Sequence, residues 1–496
     1  MNMKRFFYIL FSLALLVTSC EKEPKVQTVP TTPPGNDTYT YVNVFAYNMM
    51  NDYYLWNKEI AKGLEEWDDT FEPISYVDKI KYKDDKWTML TDDYESFFGD
   101  VSGVGTSYGY DIMLYVHDQS NTSKILLCAV VLYVYPDSPA AQAGLKRGDV
   151  ILKVNGKDLV YNNNAYYDIV VNEMLSGTKC TLEMNNGKSV SMTAVELVEN
   201  PVIAYKVLDN GTKKIGYLHY TSFTAESCAP LLEACKYFKE QGVKELVLDL
   251  RYNGGGAVKT EEMFISMLAP KSAVDNGEVF EKEIYNAELT KYWGTGESKF
   301  TTTHEFTFGD KQYTFDTSDA NIGLDKIYAI VTDRSASASE ALICCLKPFM
   351  PVELIGEQTY GKFCAGLVYS ADDWYDDVKE YLNDPEDYTK GKKYAHNWGI
   401  YCMYARFADK NGETLCMPDG IPVDVAAEDN PRDGCQFGDP EESMLKVALQ
   451  RAGFLTASQS SVVRQAPESF AQKPIPFRRP EKPGMVRLPS EMLSLK

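Results

Sequence analysis

Ser337 and Lys362 are the residues whose types, setting and spacing suit acyl-transfer chemistry. Ser337 stands in a run of small residues, Ser335-Ala336-Ser337-Ala338-Ser339-Glu340, between an apolar strand pattern at 327–331 and a helical pattern at 338–346. A serine at such a junction heads a helix, and the first helical N–H groups face whatever lies beside it. A serine hydroxyl is a weak nucleophile and needs a base within hydrogen-bonding reach. A lysine serves as that base when desolvation brings its pKa from about 10.4 to roughly 7–8. Lys362 follows a second apolar strand pattern, 352–355, and a turn at Gly361, which returns it toward the same end of a sheet. The oxyanion formed on attack needs preorganised donors. The Ala338 N–H is one, and the Gly255-Gly256 pair is the expected source of the second, because glycine allows close backbone approach and positive φ. Taken singly, each feature has a plainer explanation: an N-cap at Ser337 with Glu340 completing a capping box, a tight turn at the glycines, a surface lysine.

The elements that must position these residues alternate. Strand 214–220, helix 226–240, strand 245–250 and helix 258–268 argue for an α/β core. The second of these strands runs into Leu248-Asp249-Leu250-Arg251-Tyr252-Asn253-Gly254-Gly255-Gly256. That run, the Ser337-Ala338-Ser339-Glu340 run and the Gly361-Lys362 turn, with its lysine 25 positions beyond Ser337, together resemble the C-terminal processing (tail-specific) serine peptidases of family S41. The chain resembles the PDZ-containing bacterial lipoprotein members of that family. The resemblance implies Ser337 as nucleophile, Lys362 as base, and a multidomain α+β protein with an N-terminal helical domain, a PDZ domain and an α/β (ClpP/crotonase-like) catalytic core. One departure stands out. Many members carry a glutamine four residues after the lysine that helps orient it, and here that position is Gly366.

Upstream, Ser138-Pro139-Ala140-Ala141 through Gly144, Gly148-Asp149 and Asn155-Gly156 is similar to a bacterial PDZ domain, with 165–175 as its groove helix. PDZ domains add a peptide as an extra strand and hold its terminal carboxylate in a nest of N–H groups. By that resemblance Ser102, Gly103, Val104 and Gly105 form the nest. The alternative is a PDZ-like domain that only gates or braces the protease.

Composition bounds the remaining readings. The net charge of −21 over 496 residues argues against a general nucleic-acid binder, and 44% apolar content permits ordinary cores. Lys4 and Arg5 precede an apolar run at 6–17, a signal-peptide pattern too short to span a bilayer. It ends Val17-Thr18-Ser19-Cys20, which resembles a lipobox with Cys20 as the lipidated residue. Ten further cysteines contain no Cys-x-x-Cys motif, and His117, His219, His304 and His396 are scattered, so no cofactor and no catalytic metal is expected.

The expected organisation is a lipoprotein signal peptide at 1–20, a tether at 21–38, an N-terminal helical domain at 39–100 and a PDZ domain at 101–200. The catalytic domain follows at 201–454, with insertions near 272–322 and 371–395, and then a disordered tail at 455–496. The expected function is a serine endopeptidase with a Ser-Lys dyad, lipid-anchored in the cell envelope on a periplasmic or surface face. Its partners are protein or peptide substrates with exposed C-termini. The alternative is a catalytically weak or inactive PDZ peptide-binding lipoprotein.

Overall fold

The computed structural model describes residues 37–60, 71–118, 120, 125–161, 169–382, 384–455 and 485–488. The expected signal peptide, Cys20 and nearly all of the tether lie outside the described residues.

The site is built on a six-stranded sheet in the order Val202–Asp209, Lys214–Tyr220, Glu245–Asp249, Lys326–Val331, Val352–Gly356 and Val425–Ala426. The first pair is antiparallel and every later pair parallel. Period-two alternation sends Leu246, Leu248, Ile327, Ala329 and Val331 to one face, in one core with helices Cys228–Glu240, Val258–Leu268 and Ala338–Leu346. Val247, Tyr328, Ile330 and Ile355 go to the other, against helix Ser443–Arg451. Apolar residues on both faces make these strands continuous hydrophobic runs, as parallel central strands require.

A second sheet runs Gly296–Lys299, Val279–Tyr285, Gly399–Asp409, Cys364–Ser370 and Val486–Arg487, with Met89–Thr91 also paired to Gly399–Asp409. Three expectations change here. The region 272–322 is not only an insertion beside the cleft, because Val279–Tyr285 is an internal strand of this sheet. The N-terminal segment is not a separate body: helix Asp37–Tyr53 buries Val42, Phe45, Ala46 and Met49 in the same core as Met403 and Leu367. Nor is 371–395 merely an insertion, since helix Ala371–Val378 buries Trp374, Tyr375 and Val378, with Tyr375 donating to Tyr41 O at 2.7 Å.

Within the segment expected to be a disordered tail, Met485–Leu488 is buried and Val486–Arg487 is a strand. The expectation fails at these four residues because two apolar neighbours and an arginine find partners far away in the chain.

The PDZ region is a seven-stranded sheet with its own core, including Leu114, Leu127, Ile151 and Leu182. Its expected groove helix is described only over Ile169–Leu175, as a π-helical turn. Buried charges join it to the body built on the six-stranded sheet. Arg147 pairs with Asp429 at 2.6 Å, and Arg251 bridges Asp249, Asp429 and Glu442 at 2.8, 2.9 and 2.7 Å. Opposite charges packed this way offset the large cost of desolvating each one. All ten described cysteines are buried free thiols.

Candidate active site

Three neighbouring parallel strands deliver the site. Glu245–Asp249, Lys326–Val331 and Val352–Gly356 are hydrogen-bonded side by side, so the loops leaving their carboxyl ends meet at one edge. Those loops carry Gly255-Gly256, Ser337 and Lys362. Binding sites of open α/β sheets form at this edge for the same reason.

Ser337 takes φ 59° and ψ −112°, a region that non-glycine residues avoid at a cost of about 1–3 kcal/mol. Its surroundings hold it there. The Ala336 N–H and the Ser339 hydroxyl both donate to Asn253 O at 3.0 Å, and the Ser335 hydroxyl donates to Leu250 O at 2.9 Å. The Glu340 carboxylate accepts the Ser337 N–H at 2.8 Å, the Lys362 N–H at 2.9 Å and the Gly361 N–H at 2.7 Å, together with the Thr359 hydroxyl at 2.5 Å. Burial pushes the Glu340 carboxyl up, and the four donors pull it back down in part. One buried side chain therefore ties the serine loop to the lysine loop.

Lys362 is 5% exposed, and its Nζ donates to Tyr401 Oη at 3.0 Å. The amine lies 4.7 Å from the Tyr401 ring centre and 5.9 Å from that of Trp87. Trp87 packs edge-on against Phe363. The N-terminal segment thus supplies part of the lysine enclosure. Tyr401 also explains Gly366: a Cβ there would lie 2.0 Å from Tyr401 Cε2. The tyrosine occupies the space that a longer side chain at 366 would need, and offers its own oxygen to the lysine.

The glycines approach as expected, with one difference. A Cβ on Gly255 would fall 2.9 Å from both Ala338 N and Ser337 Cβ, so only glycine fits beside Ser337. The Gly255 N–H, however, is donated to Asn253 Oδ1 at 2.9 Å rather than turned to an oxyanion position. Gly256, at φ 144°, would clash with Phe223 O at 2.3 Å if it carried a Cβ.

The Ser337 hydroxyl oxygen accepts the Met485 backbone N–H at 2.5 Å. Met485 O accepts from Tyr401 Oη at 2.8 Å and from Gly366 N at 2.9 Å, and Val486 N donates to Gly256 O at 2.9 Å. The chain's own C-terminal segment lies in the cleft as an extended strand.

Residues 214–426 match the model of peptidase family S41, and residues 130–170 match that of a PDZ domain. The chain carries an S41 peptidase domain. Carboxyl-terminal-processing peptidase 1 of Arabidopsis thaliana chloroplasts is 28% identical over 284 residues, covering 55% of this chain and 50% of that protein. Carboxy-terminal processing protease CtpA of Bacillus subtilis is 28% identical over 276 residues, covering 54% and 52%. The chain spans about half the length of these curated relatives. A solved Bacteroides fragilis structure classed with the S41 proteases superposes with a TM-score of 0.63 at 21% identity, covering 88% of this chain and all of that one, which establishes the shared fold.

Other expected residues sit elsewhere. Ser102 ends helix Tyr94–Ser102, Gly103 caps it at φ 73°, and Val104–Ser107 pairs antiparallel with Val195–Val198. Ser102–Gly105 lies where the PDZ region meets the S41 domain, with Gly103 against Thr224 and open space beside Gly105. His219 stacks on Phe437 at 3.8 Å and touches Tyr133 and Tyr252, in the seam with the PDZ region. Sequence reasoning took Glu340 only as a capping residue and missed Tyr401 and Met485. Two signals were available: the glycine at 366, which implied a substitute for the missing side chain, and the apolar Met485-Val486 pair inside a polar tail.

Proposed function

We propose that the protein is a serine endopeptidase of the C-terminal processing type, acting through a Ser337–Lys362 dyad. The observation that carries this reading is the Glu340 bridge, which holds a strained, buried serine and a buried lysine at one sheet edge. In the proposed reaction neutral Lys362 takes the Ser337 proton as Oγ attacks a peptide carbonyl carbon. The oxyanion is received by the Ala338 N–H and the Gly255-Gly256 backbone, with Gly255 needing release from Asn253 to contribute. Lys362 then protonates the departing amine. A water, deprotonated by Lys362, attacks the acyl carbonyl carbon, and Lys362 returns that proton to Ser337 Oγ as its bond to the acyl group breaks.

The missing glutamine at 366 was the feature favouring a non-catalytic binding protein, and Tyr401 weakens that case by offering Lys362 an oxygen. The PDZ region is proposed to receive unstructured or C-terminal segments of protein substrates, as such domains do. Anchoring through lipidated Cys20, with the body in the periplasm or on a surface face of the envelope, is proposed from the sequence pattern alone. The test is incubation of the chain and its Ser337→Ala variant with an unfolded protein carrying an apolar C-terminal tail, with fragments read by mass spectrometry. Cleavage by the parent and none by the variant supports the reading. Equal fragment yields, or none from either, overturn it.

A further inference from the structure

The segment Met485–Leu488 occupies the cleft by main-chain bonds that any extended peptide could make. It pairs in parallel with Cys364–Ser370 on one side and bridges Ala257 on the other. Gly256 O, Gly366 N and the Ser337 hydroxyl are the groups it uses. These bonds are indifferent to sequence; the selectivity of an added strand comes from its side-chain pockets.

One such pocket is filled. Arg487 is fully buried, with Nη2 2.9 Å from Glu283 Oε1 and 3.3 Å from Glu262 Oε1, and Nε 2.9 Å from Tyr404 Oη and 3.2 Å from Glu283 Oε1. The acceptors are themselves held. Glu283 takes the Tyr285 hydroxyl at 2.7 Å and that of Tyr404, and Glu262 takes Lys259 at 2.6 Å and Ser298 at 2.9 Å. Behind them Glu261 is fully buried with neither carboxylate oxygen hydrogen-bonded. The carboxylates of Glu262 and Glu283 converge on one cation, and a planar guanidinium meets both better than an ammonium does.

We propose that the Glu262–Glu283–Tyr404 pocket is a substrate subsite selective for an arginine side chain, located two residues beyond the one whose amide meets Ser337, and that Arg487 fills it in cis so that the chain's own tail competes with substrate. The proposal rests on the cleft being the peptide-binding site of a peptidase. Burial and the neighbouring Glu281 and Glu262 carboxylates push the Glu261 carboxyl well up, and the Arg487 charge pulls it back. An empty pocket therefore draws in protons or another cation.

The experiment is binding, so hydrolysis is not needed for it. The full chain carrying Ser337→Ala, with and without Arg487→Ala, is titrated with fluorescent Gly-Met-Val-Arg-Leu-Pro, the 484–489 sequence, and with the same peptide bearing Ala or Lys for Arg. The Arg487→Ala chain is expected to bind the arginine peptide at least ~10-fold more tightly than its parent. Replacing that arginine with Ala is expected to weaken binding ~100-fold, because buried carboxylates lose their partner. Lysine should fall between, and Glu283→Gln should erase the preference. If Arg487→Ala does not fold, a specific protease site placed between 455 and 485 is cut after folding and the same peptides are exchanged into the nicked chain. Equal affinity for the Arg and Ala peptides, or no gain on weakening the tail, overturns the inference. Peptide selectivity without any cleavage by the Ser337 parent would instead uphold the subsite and remove only the peptidase reading.

Discussion

Glu340 Oε2 accepts the Lys362 backbone N–H at 2.9 Å, and the same oxygen takes the Ser337 N–H at 2.8 Å. Two loops from different strands thus share one acceptor. Glu340→Ala would strand three buried N–H groups, each costing about 1–3 kcal/mol, so the loss of stability should be on the order of 4 kcal/mol. Glu340→Gln keeps the shape but turns a donor toward donors, and should lose at least ~2 kcal/mol. Urea unfolding midpoints for the two variants check this, and a midpoint shift within error of the parent would refute the bridging role.

Tyr401 joins Lys362 Nζ to Met485 O. Tyr401→Phe removes only the hydroxyl and retains the ring that fills the space over Gly366. Peptidase kcat should fall ~10-fold or more while KM moves less than ~2-fold, as expected for a group that positions a proton carrier. The melting temperature should change little. Loss confined to KM would assign the tyrosine to peptide binding instead.

Gly256 sits where a Cβ would come within 2.3 Å of Phe223 O, a backbone atom with no rotamer to move. Gly256→Ala must shift one of the two loops, with a destabilisation of ~2 kcal/mol or more. Because Gly256 O accepts Val486 N, the same variant should loosen the tail. Faster hydrogen exchange at Val486 than at the buried strand Lys326–Val331 would show it.

The tail contact should respond to acid. Burial raises the Glu262 carboxyl, but the Lys259 and Arg487 charges outweigh it and lower the pKa to about 2 from 4.5. Glu261, Glu281 and Glu283 are the neighbouring acids, and His304, pushed down to about 4 by burial, also faces Glu262. A depressed carboxyl contributes stability that is full above pH 4.5 and lost as pH falls through about 2. The difference in unfolding free energy between the parent and Arg487→Ala should therefore be largest above pH 4.5 and shrink below it. A difference that is flat from pH 6 to pH 3 would contradict the pairing.

Much of the core chemistry was legible in the chain itself. The small residues around Ser337, the Gly361-Lys362 turn and the 253–256 loop are dictated by local backbone geometry, so they keep their character in the linear order. Apolar runs at 245–250, 327–331 and 352–355 read as strands, and the alternation of strands with helices reads as an α/β core. The sequence therefore determined that Ser337, Lys362 and Gly255-Gly256 follow three strand ends, and it left Tyr401 and Met485 unmarked.

Tertiary structure alone decided how those residues are held and what fills the cleft. Glu340 reads as a helix cap from its neighbours, and only folding brings Gly361 and Lys362 to its carboxylate. Tyr401 lies in an alternating strand with nothing local to mark it. Arg487 stands 204 residues from Glu283 and 225 from Glu262, so a four-residue segment in a polar, proline-rich stretch reads as tail. Pairing across such separations leaves no periodicity along the chain. It depends on a pocket assembled by other strands, which exists only once the fold has formed.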